Sequence, residues 1–228
     1  MDVMRHRSIF DPAAFEGRVG VIGVGALGSA VALNVAKLGI KKITVFDSDT
    51  VEAHNLPNQV LYGPDCIGEM KASCAATAIY RLTGTSVAIR GAVASKNDLR
   101  ETGVTHVFMC VDSMAVRKML FKTAVFMNPD VCFFAEGRLS SRTGISTAFN
   151  PKQIDKSKEY LTRLYPDEDV VQDRGACGNV LMLGATAMML ACQMTWQFIN
   201  HCNGHAYNEE IAADYKEMSV QSAGNLVT

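Results

Sequence analysis

The segment RVGVIGVGALGSAVALNVAKLG, residues 18–39, decides how the chain folds. Its first part, residues 18–23, contains the short apolar run that is typical of a strand buried on both faces of a parallel sheet. Residues 26–38 follow as a predicted helix, and Gly39 is the residue type that most often ends a helix. Three glycines spaced as G-x-G-x-x-G join this strand to this helix: Gly23, Gly25 and Gly28.

The glycine-rich turn predicts a site for the phosphates of a nucleotide. The first glycine permits a tight turn, the second lets a phosphate approach the backbone, and the third lets the helix pack on the strand. The helix N-terminus adds free N–H groups that bind anions. Asp47, at the end of the second predicted strand, is placed to accept hydrogen bonds from ribose hydroxyls. A turn needed only for packing, and a turn or cap role for Asp47, are the alternatives; a nicotinamide or flavin enzyme fits these features equally well.

Predicted strands and helices alternate over the first two thirds of the chain. Further strands are predicted at residues 42–46, 87–93, 106–111, 131–136 and 142–149. Further helices are predicted at residues 69–82, 96–102 and 114–127, and a polar loop at residues 47–65. This alternation indicates a doubly wound, mostly parallel α/β sheet of the Rossmann type.

The second half of the chain departs from the alternation. Residues 150–178 are charged and lack a clear period, so we expect a surface crossing loop, which is more often functional or mobile than idle. Residues 180–199 are uncharged and apolar, but their Gly, Ala, Met, Thr and Gln content favours a long packed helix over a membrane span. Residues 203–228 form a polar tail for which the pattern predicts no structure.

The composition limits the cellular compartment and the kinds of binding partner that we expect. The 228 residues carry a formal net charge of −1, which provides no general attraction for nucleic acid or an anionic membrane. The N-terminus lacks the apolar core of a signal peptide. None of the seven cysteines forms a CxxC pair, so we expect reduced thiols in a cytoplasmic protein. Cys110 and Cys132 lie in apolar runs and are expected to be ordinary core residues.

Three further motifs are more specific than the glycines. Residues 47–59 read DSDTVEAHNLPNQ, residues 68–72 read GEMKA, and residues 110–117 read CVDSMAVR. Together with the glycine turn, and in the same order and spacing, they resemble the ThiF/MoeB/HesA family, the bacterial branch of the ubiquitin-activating superfamily. The resemblance extends over residues 18–144, with weaker agreement in the apolar helix.

The resemblance implies a single adenylation domain over residues 1–228. In that family ATP and Mg²⁺ activate the C-terminal carboxylate of a ubiquitin-like or sulfur-carrier protein ending in Gly, which yields an acyl-adenylate and pyrophosphate. A Lys, backbone amides and a metal ion supply the positive charge that this reaction requires. The resemblance assigns Mg²⁺ to Asp112 and catalysis to Lys71 and Asp112; a helix N-cap for Asp112 and a solvated helix residue for Lys71 are the alternatives. It assigns ATP binding to Gly23, Gly25, Gly28, Asp47, Asp49, Asn55, Gln59 and Lys71.

The resemblance also implies a homodimer in which an N-terminal arginine reaches the partner's ATP. Arg7, which we prefer to Arg5, lies ahead of the first strand as this role requires, and a frayed basic terminus is the alternative. Apolar stretches in the second half exceed what one sheet needs to cover, which agrees with a dimer. Two features depart from the family pattern: Asn58 replaces a phosphate-binding Arg, and the paired CxxC motifs that bind zinc are absent, so no zinc is predicted.

Cys177 is the candidate for a covalent step. It lies in DRGACGN, residues 173–179, ahead of the apolar helix. Relatives that use a thioester or persulfide nucleophile carry it in this region, and a helix N-terminus with Arg174 nearby stabilises a thiolate. Gly175 and Gly178 would serve as hinges if the crossing loop moves as a lid. The alternative is a small residue that packs near the ATP site, in which case the reaction stops at the acyl-adenylate.

Three functions remain open from the sequence. ATP-dependent activation of a carrier protein accounts for all the motifs, and a short peptide or a tRNA-linked carboxylate is an alternative substrate. A nicotinamide- or flavin-dependent oxidoreductase would leave Lys71 and Asp112 without a role. A non-enzymatic member that binds ATP or a carrier without turnover would account for Asn58.

Overall fold

The computed structural model describes residues 2–93, 95–140, 142–169, 180–215, 217 and 219–227. These residues form one eight-stranded sheet with helices on both faces. The strands are β1 (Val19–Ile22), β2 (Ile43–Phe46), β3 (Ala88–Arg90), β4 (His106–Met109), β5 (Phe133–Leu139), β6 (Thr143–Phe149), β7 (Tyr207–Asp214) and β8 (Ser219–Val227). The helices are α1 (Ala26–Lys37), α2 (Lys71–Thr83), α3 (Lys96–Thr102), α4 (Met114–Leu120), α5 (Ile154–Thr162) and α6 (Val180–Cys202).

The sheet is parallel in its first five strands. The strand order is β3-β2-β1-β4-β5-β6-β7-β8, with β1 paired in parallel to both β2 and β4. β6, β7 and β8 join antiparallel. The winding reverses between β1 and β4, and ligands of such sheets bind beyond the carboxyl ends of the strands at that point. The predicted doubly wound, mostly parallel sheet is therefore confirmed.

A separate apolar core covers each face of the sheet. α1, α2 and α6 pack on one face, where Val31 and Met194 are fully buried. α3, α4 and α5 pack on the other, around Leu99 and Tyr160. Every residue of β1, β2 and β4 is buried, as the apolar runs predict for strands covered on both faces.

The second half contains more regular structure than expected. The predicted crossing loop over residues 150–178 is wrong for Ile154–Thr162, which form α5. Only Ser157 and Tyr160 of this helix are buried, and most of its residues are polar, so the segment resembles a surface loop in the sequence. The polar tail forms the hairpin of β7 and β8, and Tyr207 and Ala213 are the buried residues of β7.

Two helices differ in detail from their predicted bounds. The helix predicted over residues 114–127 is α4 followed by one π-helical turn, Phe121–Val125. The long apolar helix extends to Cys202 rather than residue 199. Within the described ranges, no helix has both the length and the hydropathy that crossing a bilayer requires.

Candidate nucleotide site

The glycine turn lies at the carboxyl ends of β1 and β4. Gly23 has a φ of +81°, and an added Cβ would lie 3.0 Å from Cys110 O. A Cβ on Gly28 would lie 1.8 Å from Gly23 O, so α1 packs directly on the turn. A Cβ on Gly25, by contrast, would have Gln59 Nε2 as its nearest neighbour, at 3.9 Å. The fold itself requires the first and third glycines, whereas the second leaves open space beside the backbone, as the approach of a phosphate requires.

The N-terminus of α1 offers donors to an anion. Gly25 is the N-cap residue, and no side chain caps the helix, so the first-turn N–H groups carry uncompensated positive charge. Asp47 lies beside this turn, since its Oδ2 accepts a hydrogen bond from Val24 N at 2.7 Å. Its Oδ1 accepts one from Asp49 N at 2.8 Å. Each carboxylate oxygen has a second lone pair, which is available to a ribose hydroxyl.

The loop after β2 carries two buried amide side chains, and that of Gln59 reaches the glycine turn. Asn55 is buried, and its Oδ1 accepts a hydrogen bond from Glu52 N at 2.9 Å, which closes a short helical turn. Gln59 is 8 % exposed, and its Nε2 is the side-chain donor nearest to the open space at Gly25. Among the atoms that the structure describes, Gln59 Oε1 is buried without a hydrogen-bond partner. This oxygen is an acceptor, so a donor such as a hydroxyl or amino group of a ligand, or a water, would be its partner.

Asn58, which replaces the arginine of the family pattern, packs under α6. A Cβ on Gly184 would lie 3.0 Å from Asn58 Cα. Asn58 Oδ1 is also a buried acceptor without a partner in the described part of the chain. The close approach of the helix backbone, rather than a phosphate contact, accounts for the position of this residue.

Lys71 begins α2 and is held by an acidic residue of the site. Its Nζ lies 3.0 Å from Asp49 Oδ2, and the Lys71 side chain is only 12 % exposed. Lys71 N also donates to Asp49 O at 2.9 Å. The alternative of a solvated helix residue is wrong, because the side chain is mostly covered and paired.

Asp112 follows β4 and is exposed at the same edge of the sheet. Its Oδ1 accepts a hydrogen bond from Ser113 N at 2.8 Å. Ser113 is the N-cap residue of α4, since its Oγ accepts a hydrogen bond from Val116 N at 3.2 Å. The N-cap alternative for Asp112 is therefore wrong. Over the described contacts Asp112 Oδ2 has no partner, so this oxygen is available to a cation.

Asp167 is a residue of this region that the sequence pattern did not reveal. Its carboxylate accepts hydrogen bonds from Ser113 Oγ at 2.7 Å and from Met114 N. These bonds, that from Ser113 first, lower the pKa of Asp167. They fasten the crossing segment to the N-terminus of α4, next to Asp112. The two partners are 54 residues apart, so no local motif marks the contact.

Arg117, the arginine of the CVDSMAVR motif, is buried and does not face a ligand. Its guanidinium pairs with the buried Glu136 and donates to Val111 O. Arg138 Nε donates to the same carboxylate at 2.9 Å. The bond to Val111 O holds the end of β4 from which Asp112 projects, so Arg117 acts as a positioning residue.

Arg7, a predicted catalytic residue, lies outside this cluster. Arg7 Nε contacts Asp11 Oδ2 at 3.0 Å, and the adjacent His6 Nε2 lies 3.1 Å from Leu38 O. This places the N-terminal segment at the C-terminal end of α1, away from the glycine turn. Cys177 lies outside the described residues, and its role stays a prediction. The same holds for its predicted neighbours Arg174, Gly175 and Gly178.

The two cysteines expected in the core are both partly buried. Cys110 packs beneath the turn, since its Cβ lies 3.2 Å from the position of a Cβ on Gly28. Burial raises the pKa of the Cys110 thiol to about 12, so it is a poor nucleophile. Cys132 Sγ lies 3.4 Å from Thr105 O.

Known proteins share both the sequence pattern and the fold. Residues 13–224 match the ThiF family. The molybdopterin-synthase adenylyltransferase of Escherichia coli K12 is 32 % identical over 109 residues, which are 46 % of this chain and 43 % of that protein. The ubiquitin-like modifier-activating enzyme 5 of Oryza sativa subsp. japonica is 29 % identical over 118 residues, 45 % of this chain and 28 % of that protein.

A solved structure is similar to this chain in its fold. The crystal structure of E. coli MccB with succinimide superposes with a TM-score of 0.66 at 15 % identity, over 92 % of this chain and 64 % of that one. The chain spans less than half the length of the two curated relatives. The family match nevertheless runs from ahead of β1 into β8. The chain therefore belongs to the ThiF family.

Proposed function

We propose that this protein binds ATP at the carboxyl edge of its sheet and adenylates the C-terminal carboxylate of a ubiquitin-like or sulfur-carrier protein. The observation that carries the proposal is that the open space at Gly25, the Asp47 carboxylate and the exposed Asp112 lie at the same edge of the sheet. The names of the relatives, an adenylyltransferase and a modifier-activating enzyme, point to the same class of reaction.

The residues present fit the chemistry of adenylation. A carboxylate oxygen attacks the α-phosphorus of ATP, the bond from that phosphorus to the bridging oxygen breaks, and pyrophosphate leaves. Negative charge must be stabilised on the phosphates as this happens. The N–H groups at the start of α1 and Gln59 Nε2 would donate to the phosphates, and Asp47 would accept from the ribose.

Asp112 would hold the Mg²⁺ that accompanies ATP. A Mg²⁺ site needs only one or two carboxylates, because the ion keeps several waters. Asp112 is exposed and has one oxygen that the described chain does not use. When bound, the ion would neutralise phosphate charge. Asp167 and Arg117 hold the segments on either side of Asp112 and thus define its position.

Lys71 would exchange partners when ATP binds. Its present partner, Asp49, is 68 % exposed, so the ion pair is screened by water and is easily replaced. A triphosphate at the start of α1 offers more negative charge than one carboxylate. Asp49 would then keep the lysine extended toward the site in the absence of nucleotide.

The proposed role of Arg7 in binding ATP requires a second copy of the chain. α1 has 12 residues and is therefore about 18 Å long, and Arg7 lies near its far end from the glycine turn. Arg7 would thus reach only the nucleotide of a partner. An apolar stripe at helical spacing on α6 supports a homodimer, because its side chains are exposed in the single chain: Met188, Met189, Cys192 and Trp196.

A thioester at Cys177 would be a later and separate step. The acyl group would pass from the adenylate to the sulfur, with release of AMP and loss of the thiol proton. The described cysteines are all free, which agrees with the cytoplasmic location that we propose.

The test is ATP–pyrophosphate exchange by the purified chain, with and without candidate carrier proteins, together with calorimetry of ATP and NAD. Carrier-dependent exchange is expected. Binding of NAD without ATP would favour the oxidoreductase alternative instead. Tight ATP binding without exchange for any carrier, peptide or other C-terminal carboxylate would favour a non-enzymatic role.

A further inference from the structure

Three metal-ligating side chains meet at the edge of the sheet opposite to the nucleotide site. His106 is the first residue of β4, Cys132 directly precedes β5, and His201 lies in the last turn of α6. The parallel register places His106 beside Phe133, which brings Cys132 next to it. One ligand atom from each of the three lies within 4.8 Å of the others.

The distance between two of these ligand atoms fits a tetrahedral ion. Cys132 Sγ lies 3.5 Å from His106 Nε2. In a tetrahedral zinc site, with bonds of about 2.3 Å to sulfur and about 2.0 Å to nitrogen, the ligand atoms are separated by about 3.6 Å. The thiol and this imidazole are therefore already at the separation that a shared zinc ion would impose.

The second nitrogen of each imidazole is used as in known metal sites. His106 Nδ1 pairs with Thr105 Oγ1 at 2.8 Å, and His201 Nδ1 lies 3.4 Å from the hydroxyl of Tyr207. Metal-binding histidines commonly use one nitrogen for a hydrogen bond that orients the ring and the other for the metal. In both residues this leaves Nε2 for an ion.

The surroundings favour entry and retention of a cation. His201 lies at the C-terminal end of a 23-residue helix, where the helix dipole is negative. A cavity of about 340 Å³, lined by Asp11, Glu16 and Cys202 among others, opens beside the two histidines. Burial disfavours the charged form of both rings and so lowers the pKa of His106 and that of His201.

We propose that His106, Cys132 and His201 bind a divalent transition-metal ion, with Zn²⁺ as the best fit to this set of donors. Water, or the Cys202 thiol after a side-chain rotation, completes a tetrahedral shell. On binding, Sγ of Cys132 bonds to the ion, its proton passes to solvent, and its hydrogen bond to Thr105 O is lost.

The role of such an ion is structural. His106 is the first residue of β4, whereas Asp112 follows the carboxyl end of that strand. The two residues therefore lie at opposite edges of the sheet, and an ion at His106 would have no part in adenylation. It would instead connect β4, the start of β5 and the end of α6. The sequence predicts no zinc because the paired CxxC motifs are absent. The three ligands proposed here are different residues, and zinc bound to them would make that prediction wrong.

The alternative is a pair of ordinary buried histidines in an aromatic cluster. The His106 ring lies 5.5 Å from that of Phe198, and the His201 ring lies 4.9 Å from that of Phe133. Aromatic packing alone accounts for the burial of the rings. It does not account for the thiol at 3.5 Å, and it predicts no affinity for metal.

The experiment is a titration of the metal-free full chain with Co²⁺, followed by displacement with Zn²⁺. We expect one equivalent to bind with the visible bands of four-coordinate cobalt and a near-ultraviolet band from sulfur-to-cobalt charge transfer. Zn²⁺ should raise the Tm. The absence of the charge-transfer band in the wild-type protein would overturn the proposal, whether or not any variant folds.

Matched variants identify the ligands. Cys132→Ser, which keeps the side-chain shape, should abolish the charge-transfer band and the rise in Tm with Zn²⁺. His201→Gln should lower the affinity at least about tenfold, the loss that even an outer partner of a metal ligand causes. Cys74→Ser removes a thiol of α2, outside the cluster, and should change neither measurement. An unchanged cobalt spectrum in Cys132→Ser would assign the metal to other thiols and refute the site.

Discussion

The glycine turn yields a paired test, because its second and third glycines are required for different reasons. An alanine Cβ at residue 28 would lie 1.8 Å from Gly23 O, which is far inside van der Waals contact with backbone that cannot rotate away. At Gly25 the nearest atom would be at 3.9 Å, an ordinary contact with the end of a flexible side chain. The two single-methyl changes therefore separate stability from ligand binding.

The expected magnitudes follow from these distances. Gly28→Ala should lower the free energy of unfolding by about 3 kcal/mol, the upper end for overpacking, and lower the Tm by about 6–12 °C in a chain of this size. Gly25→Ala should cost about 1 kcal/mol or less, the cost of a poorer N-cap residue. The same methyl fills the space that a phosphate would occupy, so ATP affinity should fall at least about tenfold, or about 1.4 kcal/mol.

Thermal unfolding and ATP calorimetry on both variants complete the test. Because Gly28→Ala should affect mainly stability, it is the control for a general loss of structure. If Gly25→Ala binds ATP as tightly as the wild type while remaining folded, then the open space at this glycine is not a phosphate site. The proposed nucleotide pose would then have to be abandoned.

Four further changes test the rest of the site. Asp112→Asn should abolish ATP–pyrophosphate exchange with no change in Tm, since the side chain is exposed and its one bond is to Ser113 N; undiminished exchange would remove it from the site. Arg117→Met should lower the free energy of unfolding by about 3–5 kcal/mol, because it leaves the buried carboxylate of Glu136 without its main partner, and a denaturant titration measures this. Arg7→Ala should remain dimeric by light scattering but adenylate slowly; a monomeric wild type at micromolar concentration would contradict the arrangement. Cys177→Ala should retain exchange and lose any thiol-sensitive adduct with the carrier in mass spectra, and an adduct that persists would exclude the thioester.

Local patterns in the sequence predicted the part of the fold that holds the nucleotide site. The apolar runs of β1, β2 and β4 predict strands that are buried on both faces. The glycines between β1 and α1 predict a tight turn, and in the structure a side chain at Gly23 or Gly28 would clash with the backbone. Both signals arise within a few neighbouring residues. Asp47 follows β2, which pairs in parallel with β1, so its carboxylate lies beside the turn.

The helix α5 and the strand β7 could not be predicted from such local patterns. α5 buries only two side chains, and β7 lies in an antiparallel region in which most residues are half-exposed. A helix or strand that buries so few side chains contains few apolar residues to mark it in the sequence. These elements are stabilised instead by neighbours that are far away in the sequence, as β7 is by β6.

The sequence by itself determined the family, the parallel half of the sheet and the residue types at the proposed nucleotide site. The tertiary structure alone decided which of those side chains are already paired: Lys71 with Asp49, Arg117 with Glu136, and Asp167 with the start of α4. It also decided that His106, Cys132 and His201 come together. The physical reason is that helix and strand periods depend on neighbouring residues, whereas ion pairs and ligand clusters depend on positions in space that only the packed sheet brings together.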